Sequence, residues 1–288
     1  MQHIQLAVTL IVLLASSWLL AGEVIAENGA VMEYAFVEDA AETLGGSLSE
    51  RFDVPEGFTR VALKDGSFGA WLRELPLLEG TQVWSYDGRV LDAPSAAVVA
   101  LDVGSRDLQQ CADSILRLRA EYLWAAGRQD EIAFHFTSGD RSAWSDWSEG
   151  ERFRIGDGRV ERTRSATRST SRENFKKYLW HLFTYASTRS MSKDAQLVEE
   201  AELLEVGDFF VQGGSPGHAV LILDIAESAD GRRVALLGQG YMPAQSFHVL
   251  RAEGAAVLGE VWFLLPGPGE SLKTPSWPAF LRSEVRRF

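Results

Sequence analysis

The longest helical pattern covers residues 105–124, where Leu108, Ala112, Ile115, Leu118, Arg119 and Tyr122 recur at helical intervals as one mostly apolar stripe. Ser105 or Asp107 supplies its N-cap, since a short side-chain oxygen accepts from a free N–H of the first turn. Ser171 caps a second helix whose stripe is Phe175, Leu179, Leu182, Phe183 and Ala186, and a third, shorter helix is predicted over residues 192–201. Ser67 caps a short helix over residues 68–75, which Pro76 stops.

Strand patterns fill the rest. Residues 52–61 read as a strand or two about a Pro-Glu-Gly turn, residues 82–91 as a hairpin on Asp87-Gly88, and residues 96–103 as a buried strand leading into the long helix. From residue 203 the period is that of strands. A turn at Val206-Gly-Asp leads into a short strand, and Gly217-His218 runs into the apolar residues 219–224. A turn over residues 228–231 reverses the chain into residues 233–241, and strands follow over 247–250 and 259–265. This order predicts one α+β domain over residues 51–265, with a cysteine-bearing helix packed on an antiparallel sheet. Residues 27–50 are expected to be a loosely held leader and residues 266–288 a surface extension.

Residues 1–26 carry an apolar run from Leu6 to Ala21 and a small-x-small sequence at Val24-Ile-Ala26. That predicts a signal peptide, with an uncleaved N-terminal anchor as the alternative because the n-region lacks Lys and Arg. Either way the body is expected to be exported, to a periplasmic or extracellular location. A net charge of −12 argues against nucleic acid or anionic lipid as partner, leaving membrane contact only to an uncleaved N-terminal segment. Residues 159–172, rich in Arg, Ser and Thr, are expected to be a solvated loop.

The chain has 1 cysteine, so Cys111 cannot pair within its own chain. At a helix N-terminus the dipole favours its thiolate, which is how a cysteine nucleophile is commonly activated given a nearby histidine. His218 opens the apolar strand after a glycine-rich turn, and Gln239 ends the return strand, where the hairpin brings it alongside. Cys111 as nucleophile, His218 as base and Gln239 as the amide that orients the imidazole form a triad, with Gln110 or Gln109 as an oxyanion donor. Asp224 is too far along its strand to orient the ring. His135 is expected to be a satisfied, partly buried histidine and His181 a surface one. Trp144 and Trp147, on a polar segment, together with Tyr241, offer a stacking surface for substrate, the alternative for the tryptophan pair being a loop that they anchor to the core.

The run Val206-Gly-Asp-Phe-Phe-Val followed by Gly217-His-Ala-Val-Leu-Ile-Leu resembles the Pro-Gly-Asp and His-Val-Gly pattern of NlpC/P60 cysteine peptidases, which have a papain-like fold. The resemblance implies that Cys111 and His218 are the catalytic pair, with Gln239 the third polar residue, hydrolysing an amide in cell-wall peptide through a thioester. It departs at the nucleophile, where Gln-Gln-Cys-Ala-Asp stands instead of Asp-Cys-Ser-Gly. Residues 107–113, 213–219 and 240–245 are similar to a family of exported bacterial proteins described as domain of unknown function 4846. No cofactor is expected. Two alternatives stand: a non-catalytic wall- or carbohydrate-binding module with a structural Cys111, and a zinc site from Cys111, His218 and His248.

Overall fold

A continuous apolar run such as Ala219-Val-Leu-Ile-Leu suits a strand covered on both faces. In the computed structural model, which describes residues 24–25, 31–39, 43–156, 159–199 and 202–288, that run lies at the centre of the largest sheet. Its strands are β1 (Phe58–Arg60), β2 (Ser95–Val98), β3 (Gln196–Leu197), β4 (Phe209–Gln212), β5 (His218–Ser228), β6 (Arg233–Gln239), β7 (His248–Leu250), β8 (Val257–Leu258), β9 (Trp262–Leu264) and β10 (Val285–Arg287). They run in the order β3-β10-β4-β5-β6-β7-β2, with β1 on β5 and β9 on β6 and β8. Every pairing is antiparallel. The class is therefore α+β with antiparallel sheets.

The helices are α1 (Leu48–Arg51), α2 (Phe68–Arg73), α3 (Cys111–Ala125), α4 (Trp144–Ser148), α5 (Arg172–Tyr185) and α6 (Thr188–Asp194). Both α2 and α3 pack on β5, and Ile115, Leu118, Trp71 and Leu72 are buried in one core with the residues of that strand. The register between β5 and β6 shifts between Ile222 and Asp224, a bulge that sets Asp224 in the core. There its carboxylate accepts from Arg60 Nε at 2.7 Å, Arg73 Nε at 2.7 Å and the Ile225 N–H at 2.9 Å. Asp224 is thus a structural ion-pair centre.

Several expectations change. The long helix starts at Cys111, not at Ser105 or Asp107, because Gln110 is the N-cap and its N–H donates to the Asp113 carboxylate at 3.2 Å. Asp107 is used elsewhere, accepting from the Ala244 N–H at 2.7 Å and from Gln110 Nε2 at 3.0 Å. The third helix lies earlier, over Thr188–Asp194, because Ser187 and Ser190 cap each other reciprocally at its start.

The described residues 31–39 and 43–50 are not a loose leader: Met32, Phe36 and Leu48 are buried in the core, and Tyr34 stacks on Trp71 at 5.0 Å. Residues 266–288 are not a surface wrapping. Ser271–Thr274 pairs with Trp277–Leu281 as a hairpin, Phe280 is buried, and β10 enters the main sheet between β3 and β4. Within the Arg-rich segment, Arg159–Arg164 forms a strand against Glu151–Gly156. The predicted signal peptide or anchor falls mostly outside the described residues. Among the described residues no helix is long and apolar enough to cross a membrane.

Candidate active site

Cys111 is the first residue of α3, so its own N–H and that of Ala112 are among the helix's free donors. The thiol faces those two N–H groups and the N–H of Ala219, the residue after His218. Close approach at this corner depends on glycine. A Cβ on Gly240 would stand 2.5 Å from Ser114 Oγ and 3.0 Å from the Gln110 carbonyl, so only glycine lets the end of β6 seat against the helix start. On Gly217 a Cβ would stand 2.8 Å from the Gln212 carbonyl, so this close approach serves the protein's own backbone and not a ligand.

Leu221 pairs with Gly238, which places Gln239 on the same face as His218, on the diagonal between neighbouring strands. His218 Nε2 and Gln239 Oε1 are 2.8 Å apart. The tautomer follows from the next link. His248 Nδ1 is 3.0 Å from the Ser246 carbonyl and must donate to it, leaving its Nε2 to accept from Gln239 Nε2 at 3.5 Å. The Gln239 carbonyl therefore faces His218 and accepts its Nε2–H, so His218 Nδ1 is the basic nitrogen.

Burial, ahead of other influences, pulls both His218 and His248 down to about 4, so each imidazole is neutral at neutral pH. Gln239 lies between these two rings, which makes His218 and His248 the ends of a hydrogen-bonded relay. They are not the two arms of a zinc clip.

The electrostatics around Cys111 differ from the helix-dipole expectation. Desolvation first, then the Asp113 carboxylate, pushes the thiol up to about 11, outweighing the backbone N–H groups. Asp113 is itself raised to about 8 by burial, and its Oδ1 has no hydrogen-bond partner among the described residues. Since the carboxyl ionises before the thiol, its charge opposes thiolate formation. Among the described residues Cys111 makes no hydrogen bond with the His218 ring, so the resting pair is a neutral thiol and a neutral imidazole.

The centre is closed: Cys111 is 6% exposed, His218 1% and Gln239 1%. Tyr241 stands edge-on to the His218 ring at 4.9 Å, and its hydroxyl donates to the Ser276 carbonyl at 2.9 Å. On the hairpin of residues 271–281, Trp277 lies 5.0 Å from the same ring, and its indole N–H donates to Gln212 Oε1 at 2.8 Å. Gln212 Nε2 in turn donates to the Ala279 carbonyl and to Glu284. The C-terminal hairpin is thus fastened over the histidine.

A family model described as a domain of unknown function (4846) matches residues 48–287. The chain belongs to this family. No curated protein and no solved structure matches it. The region matched by the DUF4846 model takes in Cys111, His218, Gln239, His248 and the covering hairpin together.

The other candidate residues of this DUF4846 chain are placed differently. Gln109 is buried, with Nε2 donating to the Asp102 carbonyl at 3.0 Å and Oε1 accepting from Arg117 at 2.6 Å, so its amide is committed to the fold. The Gln110 amide donates to Asp107. Both side-chain amides are thus engaged within the protein, and the N–H groups that face the thiol are those of the backbone. Trp144 and Trp147 do not form an exposed stacking pair: they are 3% and 5% exposed. Trp144 packs on Phe175 and Tyr178, and the Trp147 indole N–H donates to Asn174 at 3.1 Å. Tyr241 alone of the three lies at the centre.

His135 is half-exposed and bonded through Nδ1 to Asp194. His181, expected on the surface, is half-buried among Phe136, Trp147, Phe153 and Tyr185, and its pKa is lowered by burial. Sequence reasoning missed Trp277 and Gln212 altogether and raised His248 only as a metal ligand. The signal for His248 was its place on the strand after Gln239, with which it pairs in register.

Proposed function

We propose that this DUF4846 protein is a cysteine-dependent amide hydrolase of papain-like, NlpC/P60-like design, exported and acting on cell-wall peptide. The observation that carries this is the 2.8 Å hydrogen bond from His218 Nε2 to Gln239 Oε1, beside a helix whose first residue is Cys111. It fixes the tautomer in which Nδ1 is free to act as base.

In the proposed reaction Nδ1 takes the thiol proton as sulfur attacks the substrate carbonyl carbon. Because thiol and imidazole are both neutral at rest, proton transfer accompanies attack and no thiolate waits for the substrate. The developing oxyanion is met by N–H groups at the start of α3. The C–N bond breaks as the His218 imidazolium returns its proton to the leaving nitrogen, and the thioester is released by water deprotonated by the same nitrogen. Substrate entry requires Tyr241 and the hairpin bearing Trp277 to move aside.

The alternative, a binding module with a packed Cys111, gains from the burial of the thiol and loses its tryptophan pair to the core. The test is incubation of cell-wall peptides with the wild-type chain, Cys111→Ala and Cys111→Ser, reading amine release and a hydroxylamine-sensitive adduct on Cys111. Amine release by the wild type alone, with that adduct, supports hydrolysis. Equal release by Cys111→Ala, or none by any of the three, favours the module.

A further inference from the structure

A cleft of about 560 Å³ lies where residues 61–69 meet α3 and the segment leading into β4. It does not involve Cys111, since Arg119 on its wall is eight residues, or about 12 Å of helix, further along α3. Leu63, Phe68, Val206 and Phe288 give it apolar walls, and the adjoining Leu203 is 69% exposed at the rim.

The three arginines of this cleft differ in what they are committed to. Arg287 bonds both oxygens of Asp208 at 2.6 and 2.8 Å and lies 2.9 Å from Glu205. Arg233 donates to the Leu204 carbonyl at 2.8 Å and lies 3.1 Å from Glu227. Arg119 makes no hydrogen bond and no ion pair among the described residues. Its guanidinium is stacked 5.1 Å from Phe68, 5.2 Å from Tyr122 and 5.6 Å from Phe288, and Glu131, the acid that influences it, is held at 2.6 Å by both ends of the Arg128 fork. A guanidinium among three rings keeps its charge, has lost part of its hydration and offers a planar fork of donors.

We propose that this cleft binds a small organic carboxylate with an apolar body, the carboxylate held by the Arg119 fork and the body lying on Leu63, Phe68, Val206 and Leu203. A monoanion fits better than a phosphate. Arg287 and Arg233 are already paired with acids, and Glu205 and Asp208 on the same wall repel a second negative charge. The site is independent of the hydrolase proposal and stands whether or not Cys111 reacts.

The test is calorimetric titration of the full chain with octanoate, with octanol and inorganic phosphate as comparators. Octanoate is expected to bind saturably and at least about tenfold more tightly than either, and Arg119→Met, which keeps an apolar stem under the rings, to weaken it at least about tenfold. In the unaltered chain, octanoate should also slow modification of Arg119 by phenylglyoxal, a readout that holds even where the variant fails to fold. Absence of saturable octanoate binding, equal binding of octanol, an unchanged affinity in a folded Arg119→Met, or no protection of Arg119 overturns the proposal.

Discussion

His218 and Gln239 lie on one face of adjacent strands and are joined by a 2.8 Å hydrogen bond whose direction is set from beyond, by His248 and the Ser246 carbonyl. Gln239→Leu leaves the buried His218 Nε2–H without an acceptor, which costs roughly 1–3 kcal/mol of stability in denaturant unfolding. In an active preparation it should also lower the turnover rate by on the order of 10²-fold or more, as expected when a general base loses its orientation. Gln239→Glu, which keeps an acceptor oxygen there, should recover more of the rate than of the stability.

Trp277 and Tyr241 cover the His218 ring. If the cover is a gate, Trp277→Ala should raise the rate of Cys111 alkylation by at least about tenfold under native conditions, with far-UV dichroism unchanged. An unchanged rate would mean that access to the thiol lies elsewhere.

The buried titratable groups around the site give stability a signed pH profile. His218 and His248, at about 4 in the folded chain and about 6.5 unfolded, stabilise fully above 6.5 and lose that contribution as pH falls toward 4. Asp113, at about 8 folded and about 3.9 unfolded, contributes fully below 3.9 and loses it as pH rises through 8. Each proton weighs about 1.4 kcal/mol per pH unit. Two histidines outweigh one aspartate between pH 4 and 6.5, so these groups predict stability that rises to near pH 6.5 and then falls. Asp113→Asn should flatten the alkaline fall in urea unfolding measured against pH.

Gln109 and the backbone N–H groups of α3 can be told apart as oxyanion donors. Gln109→Leu removes an acceptor of the buried Arg117, so it should cost roughly 1–3 kcal/mol of stability and leave Cys111 alkylation unchanged. Slower substrate turnover at unchanged stability would restore Gln109 to the site.

The core strands and the placing of Gln239 beside His218 were legible because they rest on period and order. An apolar run after Gly217-His218 and a turn over residues 228–231 suffice to set Gln239 beside His218. What stayed hidden depends on tertiary contacts. Ser105 and Asp107 look like caps, yet the Asp113 carboxylate reaching back to the Gln110 N–H starts the helix later. Trp144 and Trp147 stand among Ser, Asp and Gly, which suggests exposure, but their rings insert beneath α5 and leave only their neighbours in water. Residues 271–281 show no period of their own, so neither their hairpin nor the Trp277 contact with His218 could be foreseen. The raised thiol pKa comes first from burial, a tertiary property that no local sequence pattern encodes.

The most direct test of Cys111 and His218 as a reacting pair is the pH dependence of Cys111 alkylation by iodoacetamide, measured in Trp277→Ala to uncover the site, with and without His218→Ala. Because thiol and imidazole are both neutral at rest, the account predicts labelling assisted by His218 as general base, which continues below the thiol's own titration and falls when His218 is replaced. Labelling that follows the thiol titration alone, at the same rate in both chains, would contradict it.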